Sequence, residues 1–415
     1  MSASPSVAPS AAPSASLFNR IELAPRDPIL GMNEQFNADP NPHKINLGVG
    51  VYFNDEGKLP VLRCVAAAER LLLESPKAKG YLPIDGIAAY DKAVQGLVFG
   101  ADHAAVSGGH IATVQGLGGT GGLKVGADFL KKLNPGAQVF ISDPSWENHR
   151  ALFTQAGFEV VAYPYYDATT RGIRFDAMLA ALRAAARGSV VVLHACCHNP
   201  TGCDLTAAQW EQVAALCKAG GLVPFLDMAY QGFGQGIAAD GAAVRVFMAQ
   251  SMPFFVSTSF SKSFSLYGER VGALSVVCTS AEEASRVLSQ LKLVIRANYS
   301  NPPTFGAHVV TTVLTTPALR AMWEEELAGM RERIHATRVQ LVQRLRAAGV
   351  AGVAGELDYI TQQMGMFSYS GLSQPQMQRL RSEFGVYGLD SGRICVAAIN
   401  SRNIDAVVAA LAKVM

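Results

Sequence analysis

The chain lacks the sequence features of membrane-spanning and secreted proteins. Its 415 residues contain no run of eighteen or more apolar residues, which excludes a membrane-spanning helix of ordinary length. Residues 1–16 are rich in serine, alanine and proline, but they have neither the basic start nor the apolar centre of a secretory signal. We therefore predict a disordered tail over residues 1–16, followed by a cytoplasmic protein.

Charged residues are also scarce. They make up 16% of the chain, and the formal net charge of +2 leaves no basic face that would attract nucleic acid or an acidic membrane surface. We therefore expect neither a nucleic-acid partner nor a membrane partner. Any arginine that matters for function should act singly.

Signals for disulfides and metal sites are missing as well. Seven cysteines, scattered from Cys64 to Cys395, form an odd set that fits a reducing compartment better than a disulfide framework. The adjacent Cys196 and Cys197 lack metal-ligand spacing, and the eight histidines form no His-Glu-x-x-His motif. We interpret both residue types as buried spectators and expect no metal site.

The middle of the chain alternates short apolar runs with amphipathic stretches, which predicts βαβ units around a largely parallel, buried sheet. The clearest strands are residues 138–142, 160–163, 190–194, 222–226 and 272–277, and a further apolar run covers 254–256. Three strands lead into polar segments at 143–146, 199–202 and 227–230. Because ligands bind outside the carboxyl ends of strands in open α/β sheets, these segments should share one rim.

The pattern changes at Pro317 to a long amphipathic helix with apolar residues at three- and four-residue steps. Strand-like pieces at 365–369 and 392–397 follow it. These elements predict a smaller α+β domain, formed by residues 17–59 and 329–415. Residues 60–328 would form the large α/β domain.

Lys262 is the leading candidate for chemistry. Ser259 and Ser261 precede it, and Arg270 follows eight positions later. An amine attacks a carbonyl only when it is partly deprotonated, which burial or a neighbouring cation favours. The pattern is typical of a lysine that holds an aldehyde cofactor beside an anion. A solvated loop lysine with an unrelated arginine is the alternative.

A glycine-rich run at 116–123, which includes Gly118, Gly119 and Thr120, precedes a helical stretch that begins at Lys124. Backbone N–H groups at a helix start favour a phosphate. The run is not a Walker loop, because no Gly-Lys-Ser/Thr follows. A glycine-rich turn without a ligand is the alternative.

Asp227 directly follows five apolar residues, where an isolated carboxylate is costly unless a cation or donor meets it. A protonated pyridine nitrogen would be such a partner, and a helix N-cap is the alternative. Tyr230 would reach the same rim. Asn199, in an Asn-Pro-Thr-Gly turn, could donate to a phenolic oxygen.

Seven motifs occur in one order along the chain: Tyr-Leu-Pro-Ile-Asp-Gly at 81–86, Gly-Gly-Thr-Gly at 118–121, Ser-Asp-Pro-Ser-Trp-Glu-Asn-His at 142–149, His-Ala-Cys-Cys-His-Asn-Pro-Thr-Gly at 194–202, Asp-Met-Ala-Tyr-Gln-Gly-Phe at 227–233, Ser-Lys-Ser-Phe-Ser-Leu-Tyr-Gly-Glu-Arg at 261–270 and Arg-Ala-Asn-Tyr-Ser-Asn-Pro-Pro at 296–303. From about Leu17 to the C-terminus the chain resembles the class I aminotransferases. Within them it resembles the aspartate/aromatic branch, and its aromatic (tyrosine) members most. Lys-Leu-Pro-Val-Leu at 58–62 is closer to the aspartate enzymes.

The resemblance implies a fold-type I pyridoxal phosphate transferase. Its large domain would contain a mostly parallel seven-stranded sheet, and two copies of the chain would form a homodimer with shared active sites. The implied reaction transfers the amino group of tyrosine or phenylalanine, and also of aspartate, to 2-oxoglutarate by a ping-pong cycle. A strict aspartate aminotransferase is the alternative, and a β-lyase or decarboxylase with the same cofactor is a more distant one.

The resemblance also implies roles around the cofactor ring. Lys262 would bind pyridoxal 5′-phosphate covalently and then move the proton at the substrate Cα. Asp227 would keep the pyridine nitrogen protonated. Tyr230 and Asn199 would form hydrogen bonds with the ring oxygen, and Trp146 would stack on the ring.

The remaining implied roles concern the phosphate and the substrate. Gly118 would be one of the phosphate contacts, although many relatives have serine at this position. The other phosphate contacts would be Gly119, Thr120, Ser259, Ser261, Arg270 and, from a second subunit, Tyr81. Arg393 would bind the substrate α-carboxylate bidentately, near Gly50, Trp146 and Asn199. Arg296 of the neighbouring subunit would pair with the side-chain carboxylate of aspartate, and would turn away from an aromatic side chain.

Overall fold

The computed structural model describes residues 16–76, 78–350 and 357–415. The helices are α1 Leu30–Ala38, α2 Arg63–Glu74, α3 Ala88–Gln95, α4 Ala104–Ser107, α5 Gly118–Leu133, α6 Glu147–Gln155, α7 Phe175–Arg183, α8 Ala207–Gly220, α9 Ile237–Asp240, α10 Ala242–Ala249, α11 Ala281–Asn298, α12 Phe305–Thr315, α13 Pro317–Ala347, α14 Tyr359–Gln362, α15 Gln374–Phe384 and α16 Ile404–Val414. The strands are β1 Ile45–Asn46, β2 Ile111–Leu117, β3 Gln138–Asp143, β4 Glu159–Pro164, β5 Val190–His194, β6 Val223–Met228, β7 Phe254–Ser259, β8 Val271–Val277, β9 Phe367–Tyr369, β10 Val386–Tyr387 and β11 Arg393–Cys395.

A seven-stranded sheet with the order β2-β8-β7-β6-β5-β3-β4 forms the centre of the fold. Strands β3 to β7 pair in parallel, whereas β8 runs antiparallel to both of its neighbours. Most of the strand residues are buried, as expected for a sheet covered on both faces. The predicted α/β class with a mostly parallel seven-stranded sheet is therefore confirmed.

The predicted strands match β3 to β8, but two expectations at the glycine-rich run need correction. Strand β2 was not anticipated, and it includes Gly116 and Leu117. Helix α5 begins at Gly118, six residues before the predicted start at Lys124. Gly118 turns the chain with φ +67°, a conformation that favours glycine. Strand and helix therefore meet without an intervening loop.

A second group of elements lies apart from the central sheet. Strand β1 pairs in parallel with β10, and β9 pairs antiparallel with β11. The predicted strand at 392–397 is shorter than expected, because a 3₁₀ turn replaces it at Val396–Ala398. The predicted long helix is α13, and it has Pro317 in its first turn. Its apolar stripe is buried: Trp323, Leu327, Met330, Ile334, Leu341 and Leu345.

The predicted disordered tail lies outside the described residues, apart from Ser16. Among the described helices, none is long and apolar enough to cross a membrane. All seven cysteines are free thiols.

Trp323 joins α13 to the segment that carries Lys262, which yields a stability prediction. Its indole Nε1 donates to Ser263 O at 2.7 Å, and its ring stacks on Phe264 at 4.8 Å. We expect Trp323→Ala to lower the free energy of unfolding by about 3–5 kcal/mol, because a large buried ring and a buried hydrogen bond are lost. Equilibrium urea unfolding would measure this loss. Val61→Ala is the control, since Val61 is 73% exposed; equal effects of the two substitutions would contradict the prediction.

Candidate active site

Twelve of the fifteen predicted site residues line one cavity of about 240 Å³ at the carboxyl edge of the sheet. They are Gly50, Gly119, Thr120, Trp146, Asn199, Asp227, Tyr230, Ser259, Ser261, Lys262, Arg270 and Arg393. The prediction that the polar segments converge on one rim is confirmed. Further lining residues, which sequence reasoning missed, are Ile29, Leu123, His194, Ala229, Tyr267 and Phe367.

The other three predicted residues do not line this cavity. The N–H of Gly118 donates to Arg270 O at 2.9 Å. Tyr81 is 95% exposed. Arg296 is exposed near the end of α11 and donates to Ser300 Oγ. Tyr81 and Arg296 therefore point to solvent and leave the cavity of their own chain without them.

Lys262 follows the end of β7 and reaches into the cavity. Its Nζ lies 4.8 Å from the centre of the Tyr230 ring. Burial lowers the pKa of Lys262 to about 8; Asp227 opposes this shift, and Arg270 and Arg393 reinforce it. Near neutral pH this lowered pKa leaves a minor, but larger than usual, fraction of the amine deprotonated. This is the state that a nucleophilic amine requires.

Asp227 is a buried carboxylate within β6, so the N-cap alternative is wrong. Strand pairing places it opposite His194 of β5. His149 Nε2 donates to Asp227 Oδ2 at 3.0 Å, and His149 Nδ1 lies 2.9 Å from Ser145 Oγ. Burial raises the pKa of Asp227, but the hydrogen bond from His149, together with electrostatic contributions that include the Lys262 amine, outweighs burial and lowers this pKa. The carboxylate is therefore ionised and can hold a cationic N–H.

The interpretation of the histidines as spectators is wrong for two of them. His149 is fully buried and is the hydrogen-bond partner of Asp227. His194 lines the cavity, and its ring lies 4.9 Å from that of His149 and 4.4 Å from that of His198. Burial lowers the pKa of His194 to about 3, so its imidazole is neutral. The available signal was that His149 closes the motif 142–149 that contains Trp146.

An anion cradle forms where α5 begins, beside the turn after β7. Gly119 and Thr120 lie in the first turn of this sixteen-residue helix, whose N–H groups favour an anion. Arg270 Nη1 donates to Ser261 Oγ at 3.1 Å. A side chain at Gly118 would clash with the Arg270 guanidinium. The arginine therefore occupies the space that a serine at position 118 would need.

Arg393 is a buried cation, only 1% exposed, at the start of β11. Its Nη1 donates to Asn199 Oδ1 at 3.1 Å and its Nη2 to Gly48 O at 2.7 Å. The guanidinium lies 4.3 Å from the centre of the Phe367 ring. Its buried Nε has no hydrogen-bond partner among residues 16–76, 78–350 and 357–415. Because a buried unpaired donor is costly, this geometry suits an anionic ligand that accepts from the guanidinium.

The structure also groups Cys196, Cys197 and Asp240, with potential ligand atoms within 4.8 Å of one another. The Asp240 carboxylate already accepts hydrogen bonds from the backbone N–H groups of Gly232, Gly234 and Gln235. This carboxylate caps a loop, and we assign no metal to the cluster.

Comparison with known proteins agrees with this geometry. Residues 42–411 match the family described as aminotransferase class I and II. The chain is 58% identical to an aspartate aminotransferase of Pseudomonas aeruginosa and 51% identical to an aromatic-amino-acid aminotransferase of Escherichia coli; each match covers 96% of this chain and 100% of the relative. The solved aromatic-amino-acid aminotransferase of Burkholderia pseudomallei, covalently bound to pyridoxal phosphate, superposes with a TM-score of 0.93 at 62% identity, over 96% of this chain and 100% of that one.

The fold and the site thus define an aminotransferase. More particularly, the chain belongs to the class I and II aminotransferase family, in the branch that contains the aspartate and aromatic enzymes.

The pKa of Lys262 provides a test of the site electrostatics. In cofactor-free protein, we expect labelling of Lys262 by an amine-directed reagent to rise with pH around a midpoint of about 8. Asp227→Asn should lower this midpoint, because the carboxylate that favours the ammonium form is removed. Mass spectrometry of the Lys262 peptide would follow the labelling. Asp128→Asn, which removes the partner of Lys124 outside the cavity, is the control; a midpoint that stays constant or rises in Asp227→Asn would contradict the assignment.

Proposed function

We propose that the protein is a pyridoxal phosphate-dependent aminotransferase that acts on tyrosine, phenylalanine and also aspartate, with 2-oxoglutarate as amino acceptor. One observation carries the proposal: a lysine of lowered pKa, a buried carboxylate and a buried arginine with an unpaired donor face one cavity. The names of the relatives, which are aspartate and aromatic aminotransferases, support the substrate range.

The residues of the cavity fit pyridoxal phosphate at three points. The cradle of Gly119, Thr120 and Arg270 suits its phosphate, and Asp227 suits a protonated pyridine nitrogen. Asn199 Oδ1 accepts from Arg393, so the amide Nδ2 can donate to the ring oxygen. The bound cofactor would supply an electron sink for the bond broken at the substrate Cα.

Residues of the chain itself would bind the substrate, move its proton and exclude water. Arg393 would bind the substrate α-carboxylate and orient the substrate Cα for proton transfer. Lys262, with its lowered pKa, removes the Cα proton as a general base and returns a proton as a general acid. Trp146 and Tyr230 also line the cavity and would exclude water from it.

Strict aspartate aminotransfer is the second candidate, because the relative from Pseudomonas aeruginosa carries that name. The cavity itself favours a broader range. Phe367 and Ile29 give it apolar surface, and a Cβ at Gly50 would lie 2.7 Å from Phe367 Cζ, so glycine at this position leaves room for the Phe367 ring. These residues can contact an aromatic ring without leaving a buried charge unpaired.

We also propose that the active unit is a homodimer with shared sites. Large apolar and aromatic side chains are exposed on the chain, among them Leu17, Phe18, Leu73, Tyr81, Leu293 and Phe305. Leu73 and Phe305 line one surface cavity, and clustered apolar surface of this kind marks interaction sites. Tyr81 would reach the cofactor phosphate of the second copy, and Arg296 would reach the side-chain carboxylate of its substrate.

Two further assignments belong to the proposal. The division into a small domain of residues 17–59 and 329–415 and a large domain of 60–328 is supported by the pairing of β1 with β10, which joins the two parts of the small domain. Helix α13 would cross the boundary. A cytoplasmic location is supported by the seven free thiols.

Replacement of the lysine is the direct test of the function. We expect Lys262→Ala to abolish transamination of phenylalanine and aspartate and to remove the visible absorbance of covalently bound cofactor, because no other lysine among the described residues lines the cavity. Absorbance titration with pyridoxal phosphate and a coupled 2-oxo acid assay would measure both. Lys124→Ala, outside the cavity, should behave as the parent enzyme. Full activity in Lys262→Ala would overturn the proposal.

Substrate range has a separate test at Arg296. We expect Arg296→Leu to lower kcat/KM for aspartate about 100-fold and to change that for phenylalanine little, because only aspartate would lose a charge partner. Steady-state kinetics with both donors would show the split. Arg286→Leu, on the same helix, is the control, since Arg286 pairs with Glu282 at the surface. Negligible activity of the parent enzyme with phenylalanine would favour strict aspartate aminotransfer.

A further inference from the structure

An ion pair joins the loop that carries Tyr81 to the helix that carries Arg296. Asp85 lies four residues after Tyr81, and Lys292 lies four residues before Arg296 on α11. Lys292 Nζ is 3.0 Å from Asp85 Oδ2. Residues four apart share one face of a helix. This ion pair therefore links the Tyr81 loop to helix α11. The exposed side chains of Tyr81 and Arg296 both lie outside the cavity of their own chain.

The backbone behind this contact is fixed by Gln115 of β2. Its N–H donates to Asp85 O at 2.8 Å, its Nε2 donates to Pro303 O at 2.7 Å, and its carbonyl accepts from the Tyr299 hydroxyl at 3.1 Å. Gln115 is 1% exposed. The bases of both segments are thus held by one buried residue. The ion pair adds a second link, between the loop and the helix.

Asp85 is the carboxylate that pairs with Lys292. The neighbouring Asp91 is mostly uncharged at neutral pH, because burial, with a contribution from the charge of Asp85, raises its pKa to about 9. The side chains of Lys292 and Asp85 are 37% and 21% exposed. Partly exposed pairs contribute little to folding stability. Loss of this pair should therefore move the segments without unfolding the protein.

We propose that the Asp85–Lys292 ion pair is a positioning contact that sets the spacing between Tyr81 and Arg296, so that both enter the same site of a second copy in register. This inference rests on the proposed homodimer and on the proposed role of Arg296. Tyr81 would contact the cofactor phosphate and Arg296 the distal carboxylate of the substrate, which are two fixed points of one bound assembly. The orientation of Tyr81 and Arg296 determines how strongly they bind the cofactor and the substrate.

The test uses two substitutions in the cofactor-loaded dimer. One removes a positive charge and the other removes a negative charge. We expect Lys292→Gln and Asp85→Asn each to raise KM for aspartate and the dissociation constant of pyridoxal phosphate about fivefold, with kcat for phenylalanine within about twofold of the parent. A purely long-range charge effect would move KM for aspartate in opposite directions in the two variants. The charge-reversed double variant D85K/K292D should restore both constants.

Controls separate this inference from the function on which it rests. Arg286→Gln, two turns earlier on α11, should change neither constant, and the thermal midpoints of all variants should stay close to that of the parent. If Arg296→Leu lowers aspartate turnover but Lys292→Gln and Asp85→Asn leave both constants unchanged, the positioning role alone is overturned. If Arg296→Leu leaves aspartate turnover unchanged, the role of Arg296 fails and this inference fails with it.

Discussion

The site depends on keeping the carboxylate of Asp227 ionised inside the protein. Burial alone would raise its pKa, and the hydrogen bond from His149 together with nearby positive charge reverses that effect. The fold meets this requirement through strand order, because β5, β6 and β7 are neighbours in the sheet. His194 at the end of β5, Asp227 in β6 and Lys262 after β7 are thereby brought together. The same carboxylate limits how far the pKa of Lys262 falls, so one buried charge tunes the amine that faces it.

Local patterns predicted much of the fold and the site. Six apolar runs matched β3 to β8, because buried strands need continuous apolar sequence and the turn residues that follow them are polar. Asn199, Asp227 and Lys262 follow or end such strands, and parallel strands bring their carboxyl ends to one edge. Residues that follow different strands in the sequence are therefore close together in space. The finer roles came from the motifs and their order, since no single segment was specific by itself.

Features that depend on tertiary packing were missed. Glycine weakens a helix, so the run at 116–123 suggested a turn. In the structure, the helix α5 packs so closely on the sheet that a Cβ at Gly122 would lie 2.7 Å from Ser257 Oγ, and one at Gly126 would lie 2.6 Å from Phe225 Cζ. Close approach of helix and sheet thus requires glycine inside the helix. The contact between His149 and Asp227 is likewise invisible in sequence, because 78 residues separate its partners.

The two arginines proposed to bind the substrate differ in burial, and this difference would explain recognition of unlike side chains. Arg393 is buried and held by Asn199, the Gly48 carbonyl and the Phe367 ring. Its rotamer freedom is already lost, so binding a carboxylate requires little further ordering. Arg296 is exposed and bonds only to Ser300 among the described residues, so it retains alternative rotamers. A fixed arginine suits the α-carboxylate that all amino acids share. A mobile one suits the side chain, where a charge must be met in one substrate and avoided in another.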